Sequence, residues 1–262
     1  MYDWPETRAE TDAQWATLRD VLRSEGIDAP GALTRRNGEL PPVPGGIKDA
    51  SGAVVAPDPS TLPADEFDMH TMWRHPALLF AQTCWGPMEL GLRDDVRVIG
   101  QPDYSDCEGG DGAFYSSVIL ASQRGDAEIA PPADGVALLP IDMMRGARFA
   151  FNGPDSMSGI IALTRDLEAA GEGLDLFSAR LETGSHRASI AAVARGEADL
   201  CAIDCRTWQL ARRLEKSASQ VGAVGWTARR RGLPYICSRT VSAGSVTTIR
   251  EALLTAGIIV AT

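Results

Sequence analysis

An α/β fold, built on mostly parallel sheets with helices on both faces, is what this sequence predicts, and three observations predict it. Short apolar runs of strand length recur along the chain, at residues 77–81, 97–100, 113–121 and 200–203. Segments with apolar residues at helical spacing fall between them, so strand alternates with helix. The composition suits folded cores: 262 residues, 44% hydrophobic and 23% charged, enough for one large domain or two smaller ones. No apolar run is long enough to span a bilayer.

Taken in order, Thr11, Asp12, Ala13 and Gln14 resemble a capping box. Trp15, Leu18 and Leu22 then recur at helical spacing and Gly26 ends the segment, which predicts an amphipathic helix with its apolar stripe in a core. Between residues 40 and 68, Pro41, Pro42, Pro44, Gly45, Gly46, Pro57, Pro59 and Pro63 break any regular element, so this stretch reads as a surface insertion. Residues 77–81 read as a buried strand, followed by a compact polar turn at 82–86. Residues 97–100 form another strand and lead into a glycine-rich loop, 102–112. That loop lacks the GxGxxG order and the helix behind it, which excludes a dinucleotide site. Residues 113–121 contain Phe114, Tyr115, Val118, Ile119 and Leu120 and are the best strand by β-branched and aromatic content.

A proline-rich loop at 129–135 and a helical turn at 141–146 precede a strand at 148–151. That strand runs into Asn152-Gly153-Pro154-Asp155-Ser156-Met157-Ser158-Gly159 and a helix from 159 that ends near Gly171. A strand at 176–181 leads to a second strand-to-helix turn at 183–189. Ile190, Val193 and Ala194 carry its helix and Gly196 stops it. A buried strand at 200–203 ends at Asp204, and a helix follows at 205–214. Residues 221–226 and 235–238 are extended, and a terminal helix capped by Ser245 ends near Gly257.

The stretch from Asn152 to Gly159 carries the chemistry. The first turn of a helix has backbone N–H groups without internal partners and partial positive charge from the macrodipole. A hydroxyl-rich, glycine-flanked helix start suits a phosphate-like anion. The same residues also serve plain capping, with Ser156 or Asp155 as N-cap. The formal net charge of -10 argues against a nucleic-acid surface, which needs a basic patch. It leaves room for a small anion held by local dipoles and hydroxyls. The first residues show no basic n-region and no apolar h-region, so the chain reads as one without a secretory signal, and a cytoplasmic location stays open. Cys84, Cys107, Cys201, Cys205 and Cys237 are odd in number and irregularly spaced, with no zinc pattern. At most two disulfides can form, and the spacing does not pair them. No metal or cofactor is expected.

Several blocks, in order, resemble the substrate-binding proteins of phosphonate ABC transporters, a branch of the type II periplasmic binding proteins. They are residues 1–6 with Trp4, Gln82-Thr83-Cys84, and residues 102–117 with Tyr104, Cys107 and Tyr115. They continue with Ser156-Met157-Ser158-Gly159, Gly184-Ser185-His186 with Ser189 and Ile190, and residues 196–204 ending at Asp204. The resemblance implies two doubly wound lobes joined by two crossover hinge strands, 115–121 outgoing and 221–226 returning. Lobe one is then 1–118 plus 226–262, lobe two 119–225, with a ligand cleft between them that closes on a hinge. It implies a non-enzymatic protein that clamps a small phosphonate- or phosphate-like oxyanion, with an ABC transporter permease as partner and a periplasmic location. Nucleic acid and direct membrane insertion are not expected. Ser156 and Ser158, with the N–H groups of Met157, Ser158 and Gly159, would hold the oxyanion, and His186 would donate to it. Tyr115 and Tyr104 would contact the ligand from the lobe-one side, and Trp4, Gln82, Thr83 and Ser116 join the ligand set. Asp204 would receive a ligand ammonium group or cap the next helix. Three alternatives stand beside this reading: an aromatic heterocycle such as a thiamine precursor stacked on Trp and Tyr rings, a cytoplasmic ligand sensor on the same fold, and an enzyme using Cys84 or Cys205 with His186.

Overall fold

The chain passes from one α/β unit to a second after Pro102 and returns after Gly232. The first unit is Met1–Pro102 with Leu233–Thr262 and the second is Asp103–Gly232. The computed structural model describes residues 1–122 and 128–261. Residues 103–118 and 226–232, assigned to lobe one from the sequence, therefore belong to the second unit. The cause is local: Tyr104 N–H donates to the Gly112 carbonyl at 2.8 Å, Gly232 N–H donates to the Ala113 carbonyl at 2.8 Å, and Tyr115 pairs with Arg230 across an antiparallel ladder.

In chain order the first unit contributes α1 (Arg8–Ser24), β1 (Ile47–Lys48), β2 (Val54–Ala56), α2 (Met69–Arg74), β3 (Ala81–Gln82), α3 (Trp85–Glu89) and β4 (Val96–Gly100). The second unit contributes β5 (Gly110–Asp111), β6 (Phe114–Tyr115), β7 (Ser117–Ser122), α4 (Ile141–Met144) and β8 (Arg148–Phe151). It continues with α5 (Ala162–Ala169), β9 (Ala179–Glu182), α6 (His186–Ala194), β10 (Leu200–Asp204), α7 (Cys205–Leu214), β11 (Val221–Trp226) and β12 (Arg230–Arg231). The first unit is completed by β13 (Tyr235–Ser238) and α8 (Ala243–Thr255).

In the first unit Trp15, Leu18 and Leu22 of α1 pack with Ile99, Ile249 and Leu253, as helical spacing predicts. The capping box is not realised. α1 begins earlier, and the Thr11 hydroxyl donates back to the Thr7 carbonyl at 3.2 Å from inside the helix. The proline-rich insertion is not devoid of elements, because β1 and β2 pair as a short hairpin. Residues 77–81 are not a strand apart from Ala81. Pro76 follows His75, and a turn forms in which Leu78 N–H donates to the His75 carbonyl and Ala77 N–H to its ring Nδ1. The sheet, β3-β13-β4, is antiparallel throughout rather than parallel. Ser242, not Ser245, caps α8, its hydroxyl accepting from Ser245 N–H at 3.0 Å.

The second unit is built on a five-stranded sheet in the order β11-β7-β10-β8-β9. β9, β8 and β10 run parallel, while β7 is antiparallel to both β10 and β11. The expected strand over 113–121 breaks into β6 and β7 at Ser116, whose N–H turns away to the Gly109 carbonyl at 2.8 Å. The strand expected at 176–181 is displaced to β9, because residues 174–176 form a 3₁₀ turn. Ile119, Phe149, Leu163, Leu167 and Leu200 form the core against the sheet, with Phe149 stacked on Phe177 at 4.8 Å.

Candidate anion-binding site

β9, β8 and β10 are parallel, so their carboxyl ends lie on one edge of the sheet, and each is followed by a helix. Loops at that edge are where open α/β sheets place ligands. After β8, Ser156 is the N-cap and its hydroxyl accepts from Gly159 N–H at 3.0 Å. The Ser156 carbonyl accepts from both Ile160 N–H at 3.2 Å and Ile161 N–H at 3.1 Å. The second bond spans five residues and makes Met157–Ile161 a π-helical turn ahead of α5, a device frequent at functional sites. A Cβ at position 159 would stand 1.9 Å from Asn152 Oδ1, so any larger residue there would displace the Asn152 side chain.

After β9, Ser185 caps α6 by accepting from Ala188 N–H at 3.1 Å. The Thr183 hydroxyl donates to the Phe151 carbonyl at 3.0 Å and sits 2.7 Å from Ser189 Oγ, which ties the end of β8 to the start of α6. After β10, Asp204 caps α7. Its Oδ1 accepts from Thr207 N–H at 2.9 Å and its Oδ2 from the Thr207 hydroxyl. His186, the first residue of α6, joins the three starts: its Nε2 is 2.8 Å from Ser158 Oγ and 3.4 Å from Asp204 Oδ2.

Three helix N-termini thus converge with partial positive charge. The carboxylate among them, Asp204, is buried and satisfied by Thr207. Burial pushes the His186 pKa below its ordinary value of 6.5, with the Asp204 charge opposing in part, so the imidazole is neutral at neutral pH. Among the described residues, His186 Nδ1 and Asn152 Oδ1 are buried with no hydrogen-bond partner. Such atoms are costly unless something engages them. Ser158 and Asp204 meet the same ring nitrogen. A nucleophile–base–orienter relay requires them on opposite nitrogens, which is not the geometry found here.

The depressed His186 pKa sets a pH dependence. Below pH 6.5 the unfolded chain binds this proton more readily than the folded one, so the contribution is fully present above 6.5 and is lost as pH falls through the folded value. His186→Gln is expected to flatten the urea midpoint against pH over this window. A slope below pH 6.5 that is unchanged in the variant would assign the effect to other groups.

Of the residues expected from the sequence, Ser156, Ser158, Gly159, His186 and Asp204 come together here. Met157 is buried, with its sulfur 4.0 Å from an Arg165 guanidinium nitrogen. Asp204 takes the capping role. Tyr104 and Tyr115 lie in the second unit, both buried and stacked on each other at 5.3 Å, with the Arg206 guanidinium 5.3 Å from the Tyr104 ring centre. Ser116 is buried beside them. Trp4, Gln82 and Thr83 belong to the first unit. Trp4 is buried, the Gln82 carbonyl accepts from Trp73 Nε1 at 2.9 Å, and Thr83 N–H donates to the Pro234 carbonyl at 3.0 Å. The Cys205 thiol is held well above the ordinary pKa, first by its hydrogen bond with Cys107 and then by burial. Sequence reading missed Asn152, Thr183 and Thr207 as partners. For Thr207 the signal was present, since it stands three residues after an N-cap aspartate. Among the described residues no group of His, Cys, Asp and Glu side chains is placed to hold a metal ion.

Two α/β units linked by two chain crossings, with helix starts at a parallel sheet edge, have the type II periplasmic-binding-protein fold. Residues 86–258 match the family described as the periplasmic substrate-binding protein of phosphonate ABC transporters, and the chain belongs to that family. That family is one of solute-binding proteins for transport. PhnD1 of Prochlorococcus marinus in complex with methylphosphonate is 20% identical, with a TM-score of 0.55 over 70% of this chain and 66% of that one. A Xanthomonas citri protein bound to chloride ion is 16% identical, with a TM-score of 0.59 over 97% and 81%. A binding protein component of an ABC phosphonate transporter from Pseudomonas aeruginosa is 16% identical, with a TM-score of 0.51 over 68% and 57%. At these identities the likeness is one of fold, and the chain spans less than two thirds of the length of the first and third. No curated protein matches the sequence. No helix among the described residues is long and apolar enough to cross a membrane.

Proposed function

We propose that the second unit holds a small phosphonate- or phosphate-like oxyanion at the joined starts of the π-turn, α6 and α7. The protein then passes it to an ABC transporter permease from the periplasmic side and performs no chemistry on it. The observation that carries this reading is the single imidazole of His186 within reach of both Ser158 and Asp204, which draws three helix N-termini to one place. Ser156 and Ser158 supply hydroxyls, and the π-turn supplies first-turn N–H groups. Gly159 N–H already donates to Ser156 Oγ, so it serves the cap rather than the anion. Family membership supports the transport role, and the methylphosphonate held by PhnD1 supports the ligand class. The tyrosine pair supports an anion over a stacked heterocycle, because Tyr104 and Tyr115 cover each other.

The test is thermal unfolding against phosphate, methylphosphonate, 2-aminoethylphosphonate, sulfate and thiamine, with the wild-type chain and Ser156→Ala/Ser158→Ala. A ligand that binds only the native state at about a hundred times its dissociation constant adds roughly 2.7 kcal/mol. A phosphonate or phosphate is expected to do so in the wild type and not in the variant. A shift with thiamine alone, or a phosphonate shift that survives both substitutions, would overturn the reading.

A further inference from the structure

β9 is an outer strand of the five-stranded sheet. β8 lies on one side of it, and among the described residues no strand lies on the other. Its residues, Ala179 to Glu182, are all exposed. The ladder turns half of their main-chain groups outward. The Arg148 main chain is engaged by Asp199, its N–H donating to the carboxylate at 2.8 Å and its carbonyl accepting from Asp199 N–H at 2.8 Å. The Phe151 carbonyl points the other way and accepts from Thr183 N–H at 2.9 Å. Successive residues of a strand send their N–H and C=O groups to opposite sides. Leu181 therefore faces β8, as Thr183 does, while Arg180 and Glu182 present theirs at the open edge. Side chains alternate between the two faces of the sheet. Arg180 lines an open groove of about 530 Å³ beside α5, with Ile161 and Leu174. Glu182 shares that face, and Leu181, 39% exposed, lies on the opposite one.

We infer that a second copy of this chain docks on this edge, β9 against β9, antiparallel about a two-fold axis at Leu181. Across such an axis the residues with outward main-chain groups exchange the hydrogen bonds. Arg180 then stands opposite Arg180, Glu182 opposite Glu182, or Arg180 opposite Glu182. The first two registers set like charges directly against each other, which is destabilising, whereas the third makes an opposite-charge pair on each side of the axis. The third also sets Leu181 against Leu181 as a non-hydrogen-bonded pair, the kind in which side chains come closest. Charge on an exposed edge keeps foreign strands away. Here the opposite charges flank Leu181 symmetrically, so the edge that repels other strands complements its own copy, as an isologous contact demands.

The test is sedimentation velocity of the full chain over a concentration series, for the wild type, Arg180→Glu, Glu182→Arg and the double swap Arg180→Glu/Glu182→Arg. The wild type is expected to pass from monomer to dimer as concentration rises. Each single variant opposes like charges on both sides of the axis and should stay monomeric. An equal mixture of the two single variants should dimerise, and the double swap should do so by itself. Thermal midpoints serve as the control, since exposed substitutions of this kind leave the fold intact. Leu181→Cys, oxidised at a concentration where the wild type is dimeric, should give a covalent dimer that dithiothreitol releases. A wild type that stays monomeric throughout, with the charged edge only warding off strands or serving a different partner, would overturn the inference. So would a dimer indifferent to the single substitutions, or a double swap that fails to restore it.

Discussion

Asp204→Ala is expected to lower the unfolding free energy by about 2–4 kcal/mol, because one side chain does two jobs in a buried place. It is the N-cap of α7, a role whose loss costs about 0.5–2 kcal/mol. It also accepts the Thr207 hydroxyl, and a buried donor left without its acceptor costs about 1–3 kcal/mol more. Asp204→Asn separates these effects from charge. The amide oxygen keeps the cap on Thr207 N–H, so its stability loss should be the smaller of the two. The Asp204 charge is what opposes burial at His186, so its removal should lower the imidazole pKa further, readable by NMR titration of the ring. If Asp204→Ala costs less than about 0.5 kcal/mol by urea unfolding, the cap is replaced by neighbouring groups and the central place given to Asp204 fails.

The elements that position this site were legible where their signals are local. The strand at 148–151, the buried run ending at Asp204, the helix at 205–214 and the extended segment 221–226 were each marked by apolar runs or caps within a few residues. The mixed direction of the sheets was not. Alternation of strand and helix predicts parallel neighbours only when the elements share one sheet, whereas β13 pairs with β4 after the whole second unit has intervened. The break between β6 and β7 was hidden because Ser116 is as compatible with a strand as its neighbours, and only the long-range bond to Gly109 turns it away.

Within the site, the serine turn, the second glycine turn and Asp204 could be picked out one at a time. The π-turn had no sequence mark, since one extra residue in a turn leaves the apolar spacing of residues 160–167 intact. The meeting of His186 with Ser158 and Asp204 is a product of topology. It follows from β9, β8 and β10 being adjacent and parallel, so that residues 28 and 18 positions apart end on one edge.

Phe149→Ala is expected to cost about 3–5 kcal/mol, the range for deleting a fully buried aromatic ring. Phe149 is wholly covered, stacks on Phe177, and packs with Leu163 and Leu167 from α5 and Leu200 from β10. It stands on β8, two residues before the strand ends at Phe151 and three before Asn152. The same packing that stabilises the second unit therefore holds two of the three helix starts in register. Its effect should nevertheless differ in kind from that of the serine substitutions. Ligand binding to the native state adds a fixed increment by mass action, whatever the baseline. Phe149→Ala should lower the midpoint with and without ligand while leaving most of the roughly 2.7 kcal/mol increment in place. Ser156→Ala/Ser158→Ala should lower the baseline by about 1 kcal/mol, for the lost cap, and remove the increment. Denaturant curves of both variants with and without methylphosphonate make the comparison. If Phe149→Ala removes the increment as completely as the serine pair does, binding depends on the packing of the whole unit and not on the hydroxyls at its edge.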